Sequence, residues 1–129
     1  VMEMQLPRRP AAAGVAAKPA ATGQGRFAVA AYRPRAGGQA ALLELLDRHR
    51  QLLVELGLVG TRARSLMQAA DGTIVEVFEW ASAEAIADAH AHPAVQALWQ
   101  SLDAVCTFEP LAALPEAARP FAEFKPLPA

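Results

Sequence analysis

The stretch TRARSLMQAADGTIVEVFEW, residues 61–80, decides the fold because it contains two apolar runs separated by a turn signal. Ala70-Asp71-Gly72 lies between the runs, and an Asp-Gly pair in that position is a strong signal for a β-hairpin. Residues two apart along a strand share a face, so Ile74, Phe78 and Trp80 lie together on one face. The stretch therefore predicts two strands that are antiparallel neighbours.

Upstream of this hairpin, the sequence predicts a strand followed by a helix. RFAVAAYRP, residues 26–34, is short, partly β-branched and aromatic, and it ends at a proline. RAGGQAALLELLDRHRQLLVELGL, residues 35–58, has leucines and His49 at helical spacing and Gly57 at its end. We expect this helix to bury one face against the sheet.

Downstream of Trp80, the sequence predicts a broken helix and then a strand. Ser82 can cap a short helix that runs to about Ala91, and Pro93 can open a second helix with its own apolar stripe. CTFEPLAAL, residues 106–114, is typical of a fourth strand. RPFAEFKPLPA, residues 119–129, has prolines at its ends and is typical of a strap or an edge strand.

The order strand, helix, strand, strand, helix, strand is that of the split βαβ arrangement of the ferredoxin-like fold, an α+β class with an antiparallel sheet. We expect residues 1–25, rich in Pro, Gly and Ala, to be a flexible tail, residues 26–114 to be the domain, and residues 115–129 to be a strap or edge strand. One sheet face is left without helices, and its apolar residues predict pairing into a homodimer.

Composition narrows the classes of partner. The chain has 129 residues, a formal net charge of -1 and 53% hydrophobic residues. This charge argues against nucleic acid or an anionic membrane as a partner and favours a small molecule or a second copy. The single cysteine, Cys106, excludes an internal disulfide and suits a reducing compartment. With neither a long apolar run nor a signal-peptide pattern, a cytoplasmic protein is expected.

Two segments, YRPRAGGQAALLELL and VEVFEWASAEAIADAHAHPAV, resemble the antibiotic biosynthesis monooxygenase family of dimeric α+β barrels. The resemblance covers about residues 26–112. It lies in the turn at residues 34–38, the strand end Glu79-Trp80-Ala81-Ser82, and His90 before Pro93. It implies a dimeric barrel and cofactor-independent oxygenation of a small electron-rich aromatic, such as a quinol or an anthrone. The haem-degrading branch of the superfamily is not expected, because Ala89 and Trp99 stand where that branch needs a tryptophan and a histidine.

His90 is the candidate catalytic base, on the strength of this resemblance. A helix break after it would turn its side chain into the pocket between helices and sheet, where it could take a proton from a phenolic substrate. The structural alternative is a histidine that only ends a helix. His90 and His92 do not predict a metal site, since residues two apart on a helix point in different directions. His92 instead predicts a cap for the next helix.

Other side chains predict either a ligand pocket or a plain core. His49 lies on the inner stripe of the first helix and needs a hydrogen-bond partner or a ligand. Two large rings and a methionine suit an aromatic ligand as well as a core. The candidate ligand-binding residues are Tyr32, His49, Arg64, Met67, Trp80 and Trp99. The alternative to an enzyme is a dimeric module of the same fold that binds a small ligand without catalysis, or serves only as structure.

Overall fold

The fold is described from a computed structural model, which defines residues 24–128. The expected N-terminal tail lies outside the described residues, apart from its last two positions. The described residues form five strands and three α-helices. These are β1 (Arg26–Pro34), α1 (Gln39–Glu55), β2 (Ser65–Gln68), β3 (Ile74–Trp80), α2 (Ala83–Ala91), α3 (Pro93–Val105), β4 (Cys106–Glu109) and β5 (Lys125–Leu127).

The strands form one open antiparallel sheet in the order β4-β1-β3-β2-β5. The order of the first four strands is consistent with the ferredoxin-like arrangement, and the prediction of an α+β class with an antiparallel sheet is confirmed. The terminal segment contributes β5, which pairs with β2 at the sheet edge. None of the helices in residues 24–128 is long and apolar enough to cross a membrane.

Local signals account for the boundaries of these elements. Gly72 adopts φ 95° in the turn between β2 and β3, a conformation that glycine reaches without a steric penalty. The Ser82 hydroxyl caps α2 by accepting from the Ala85 N–H at 3.1 Å. His92 Nδ1 caps α3 by accepting from the Ala94 N–H at 3.1 Å. The capping predictions for Ser82 and His92 are therefore confirmed.

Two strands are shorter than the sequence predicts. The second strand begins at Ser65 rather than near Thr61, because the preceding residues bridge irregularly from α1 to the sheet. The fourth strand ends at Glu109, because Pro110 follows it and has no N–H for strand pairing. The expected continuation of that strand, residues 110–114, contains a short 3-10 turn at Leu111–Ala113, and a second 3-10 turn follows at Pro115–Ala118.

The main core lies between the three helices and one face of the sheet. Side chains from α1, α3 and β3 that are almost fully enclosed there include Leu42, Leu46, Ile74, Val95 and Leu102. We call this side of the sheet the helix face and the other side the open face.

A smaller cluster lies on the open face. The segment after β4 covers part of that face, where Leu114 and Phe124 pack against Ala31 and Val75. Among the described residues, the open face is more exposed towards the start of β1, where Phe27 is 65% exposed and has the Arg62 guanidinium 5.6 Å from its ring centroid. Residues 24–128 therefore cover only part of the open face.

Candidate functional site

A cavity of about 380 Å³ lies on the helix face beside β1. Most of its walls are apolar, and aromatic side chains come to it from β1, β3, α3 and β4. His49 reaches it from α1. The lining residues are Ala28, Val29, Ala30, Ala31, Tyr32, His49, Phe78, Trp80, Trp99, Phe108, Glu109 and Pro110.

Small side chains and a short strand create this space. Ala28 and Ala30 occupy successive helix-face positions of β1, where larger residues would fill the gap below α3. β4 pairs with β1 only from Ala31 to Pro34. Within the described chain, residues 26–30 of β1 consequently have no strand on that side. The cavity lies where the sheet is narrowest and its side chains are smallest.

His49 and Trp99 form a hydrogen-bonded pair in the cavity wall. The Trp99 indole Nε1–H donates to His49 Nε2 at 2.9 Å, and the two ring centroids are 6.3 Å apart. Burial lowers the pKa of His49 from 6.5 to about 4, and the positive charges of Arg64 and Arg50 add to this effect. His49 is therefore a neutral imidazole at neutral pH. The partner that the sequence required for it is Trp99.

His90, the predicted base, lies in the last turn of α2 and packs on Trp99. The two rings meet edge to face with centroids 4.9 Å apart. The cavity lining formed by residues 24–128 includes Trp99 but not His90. His90 thus contacts the Trp99 ring, which lines the cavity. The catalytic role of His90 stays a prediction.

The hydroxyl of Tyr32 belongs to a buried polar network behind the cavity. It donates to Glu76 Oε1 at 2.9 Å, and Arg64 Nη1 donates to Glu76 Oε2 at 3.2 Å. Arg64 also donates to the Leu46 carbonyl at 3.0 Å and pairs with Asp47. Burial raises the pKa of Tyr32, and the Glu76 carboxylate raises it further. Tyr32 therefore presents its ring to the cavity and keeps its hydroxyl for Glu76.

Glu76 is the residue that sequence reasoning missed. Burial raises the pKa of its carboxyl, while the Tyr32 hydroxyl and the Arg64 guanidinium act in the opposite direction. The sequence contains a signal for it, since Glu76 shares the strand face of Ile74 and Phe78. A glutamate on such an apolar face requires a buried partner.

Arg64 and Met67 lie away from the cavity lining. Arg62 and Arg64 both precede β2, which begins at Ser65. Arg64 is 8% exposed within the buried network, whereas Arg62 pairs with Glu79 at 2.9 Å on the surface. Met67 packs with Val75 on the open face, on the far side of the sheet.

The other candidates do line the cavity. Trp80 ends β3 on the same face as Phe78, and their rings meet edge to face at 5.1 Å. Together with Tyr32, His49 and Trp99, they form one continuous wall. In the part of the chain that the structure describes, no three His, Cys, Asp or Glu side chains are grouped to hold a metal ion.

The fold and the cavity together define an α+β protein with an aromatic-lined space between its sheet and its helices. No family model, curated protein or solved structure matches the chain.

Proposed function

We propose that this protein binds a small planar aromatic molecule in the cavity beside β1. The observation that carries the proposal is the lining, in which the rings of Tyr32, Phe78, Trp80, Trp99 and Phe108 surround a space bordered by alanines. Small-molecule sites are typically concave, mainly apolar and furnished with a few polar groups. Offset and edge-to-face contacts with such rings favour a flat aromatic guest.

The volume and the polarity of the cavity agree with this ligand class. About 380 Å³ falls in the usual range for small-molecule pockets. The Tyr32 hydroxyl and the Trp99 indole N–H already have partners within the protein, Glu76 and His49. Apart from His49, the aromatic walls therefore present ring faces and edges rather than unpaired polar groups, which disfavours a strongly charged ligand.

Intrinsic fluorescence tests this proposal, because both tryptophans of the chain line the cavity. Titration with the tricyclic aromatic fluorene should quench or shift the emission with a saturable profile. Ala28→Leu places a larger side chain in the cavity and should weaken binding by about tenfold or more. The matched control is Ala97→Leu on the exposed side of α3, which should bind as the wild type does. Equal binding by both variants would contradict the assigned site.

A second candidate function is cofactor-independent oxygenation of the bound aromatic, the reaction that the family resemblance implies. The mainly apolar, aromatic lining of the cavity favours it, since such chemistry needs a water-poor space and a base. In the anthrone case the substrate CH₂ loses a proton, and the carbanion reduces dioxygen. The ring carbon gains one oxygen as a carbonyl, and the other oxygen leaves as water. His90 is the proposed base, and reaching the ligand from behind Trp99 would require this wall to rearrange.

Dioxygen uptake by the metal-free protein, measured against quinols and anthrones, tests the second candidate. His90→Gln should abolish uptake while fluorene binding persists, because His90 does not belong to the described cavity lining. His92→Gln is the control histidine variant, since His92 caps α3 and does not belong to the described cavity lining. Full uptake by His90→Gln would reject His90 as the base.

We further propose that two copies pair through the more exposed part of the open face. Phe27 is 65% exposed and Val29 is 45% exposed there, and both follow the sheet edge that β4 leaves unpaired. Exposed apolar patches on a sheet are common at subunit interfaces. Pairing would continue the cover that Leu114 and Phe124 provide over another part of this face.

Sedimentation equilibrium tests this assembly. The wild type should show twice the 13.6 kDa mass of the chain, and Phe27→Asp should show the monomer mass. Val54→Asp is the matched control, since Val54 is 52% exposed on α1, on the helix side of the sheet. A monomeric wild type would reject the homodimer.

A further inference from the structure

The tautomer of His49 follows from its bond to Trp99. An indole N–H can only donate, so Nε2 of His49 must be the unprotonated nitrogen that accepts it at 2.9 Å. A neutral imidazole carries one proton, which in this arrangement resides on Nδ1. Trp99 thus fixes His49 as a donor through Nδ1–H.

This donor has no acceptor among the residues that the structure describes. The side-chain hydrogen bond of His49 is the one to Trp99, and the residue is 4% exposed and lines the cavity. The neighbouring polar groups of the site are already committed, since Tyr32 donates to Glu76. A donor in the cavity wall that is not paired within the described protein favours a ligand that supplies an acceptor.

The arginine side chains near His49 also favour a ligand that carries an acceptor. The guanidinium groups of Arg64 and Arg50 lie close enough to His49 to disfavour a second proton on it. Nη1 of Arg50 is buried without a hydrogen-bond partner in the described chain. Because Arg64 is paired with Glu76 and Asp47, Arg50 is the group whose positive charge near His49 can stabilise an electron-rich oxygen.

We propose that His49 determines ligand specificity by donating its Nδ1–H to an acceptor oxygen, such as an aryl carbonyl, on the bound aromatic molecule. The inference rests on the proposed binding function and names the feature of the ligand that the site selects. A neutral imidazole can donate this hydrogen bond without any change in its protonation state. A hydrocarbon of the same shape would cover the donor without pairing it, and would bind more weakly for that reason.

Fluorenone and fluorene are the matched probes, since both are flat tricyclic molecules and only the ketone carries an acceptor oxygen. The wild type should bind fluorenone about tenfold more tightly than fluorene. His49→Phe should remove this preference and still bind fluorene, which also shows that the variant is folded. Trp80→Phe is the control for a smaller aromatic side chain in the cavity wall. It should lower the affinity for both ligands and leave the ratio of the two affinities unchanged.

Nitrogen-15 NMR of wild-type His49 provides a test that needs no variant. Nδ1 should carry the proton in the free protein, and its resonance should shift with fluorenone more than with fluorene. Equal affinity for both probes, or a proton on Nε2, would overturn the role of His49 and leave the binding proposal intact. Binding of neither probe would overturn both proposals.

Discussion

Acidification should lower the free energy of unfolding of this protein over a defined range of pH, because of His49. The imidazole is 4% exposed, and burial beside Arg64 and Arg50 lowers its pKa from 6.5 to about 4. As the pH falls below 6.5, the unfolded chain takes up a proton on His49 that the folded chain does not bind until about pH 4. Stability is therefore lost progressively between these two values and is unaffected by His49 above them.

The size of the loss follows from the difference between the two pKa values. Each pH unit across which only the unfolded state is protonated costs about 1.4 kcal/mol, so the full effect is roughly 3 kcal/mol. That is a large fraction of the free energy of unfolding of a domain of this size. Glu76 acts in the opposite direction, because its raised pKa favours the folded state at low pH. The two contributions must therefore be separated by substitution.

Urea unfolding of the wild type and of His49→Gln, at pH values from about 8 to about 4, isolates the histidine. Glutamine does not titrate, and its amide oxygen can still accept the Trp99 indole N–H. The free energy of unfolding of the wild type relative to the variant should fall by roughly 3 kcal/mol across this range. Parallel curves for the two proteins would refute the account of a buried neutral imidazole.

Urea unfolding of three further variants tests contacts in the site and in the elements that position it. Glu76→Gln should cost about 3 kcal/mol, because it leaves the buried Arg64 guanidinium facing an uncharged amide; a cost below about 1 kcal/mol would contradict the buried ion pair. Ser82→Ala should cost about 1 kcal/mol through loss of the α2 cap, and an unchanged midpoint would contradict it. Gly38→Ala should cost at least about 1 kcal/mol, since a Cβ would lie 2.8 Å from the Val105 carbonyl oxygen; wild-type stability would exclude this clash.

Most of the fold could be predicted from local signals in the sequence. The turn at Asp71-Gly72 and the caps at Ser82 and His92 each rest on chemistry within a few residues, and all three appear where the sequence indicated. The end of β4 also has a local signal, since Pro110 has no N–H for strand pairing, but the apolar residues after it led to the prediction of a longer strand. The apolar residues after that proline belong to the cover of the open face instead of a strand.

The candidate site was only partly predictable, for a geometric reason. Period-two spacing groups residues by face but does not say which face meets the helices, so Met67 was placed with the ligand residues although it lies on the open face. The Tyr32–Glu76–Arg64 network joins residues up to 44 positions apart. Only the register of β1 against β3 brings Tyr32 and Glu76 together. The pairing of His49 with Trp99 likewise depends on how α1 packs against α3.

Intermolecular NOEs between bound fluorenone and the protein test the central claim most directly. Binding in this cavity should give contacts from the ligand protons to the methyl groups of Ala28 and Ala30 and to the Trp99 ring, all of which line the cavity. Contacts to Val77 or Leu114 on the open face, with none to Ala28 or Trp99, would contradict it.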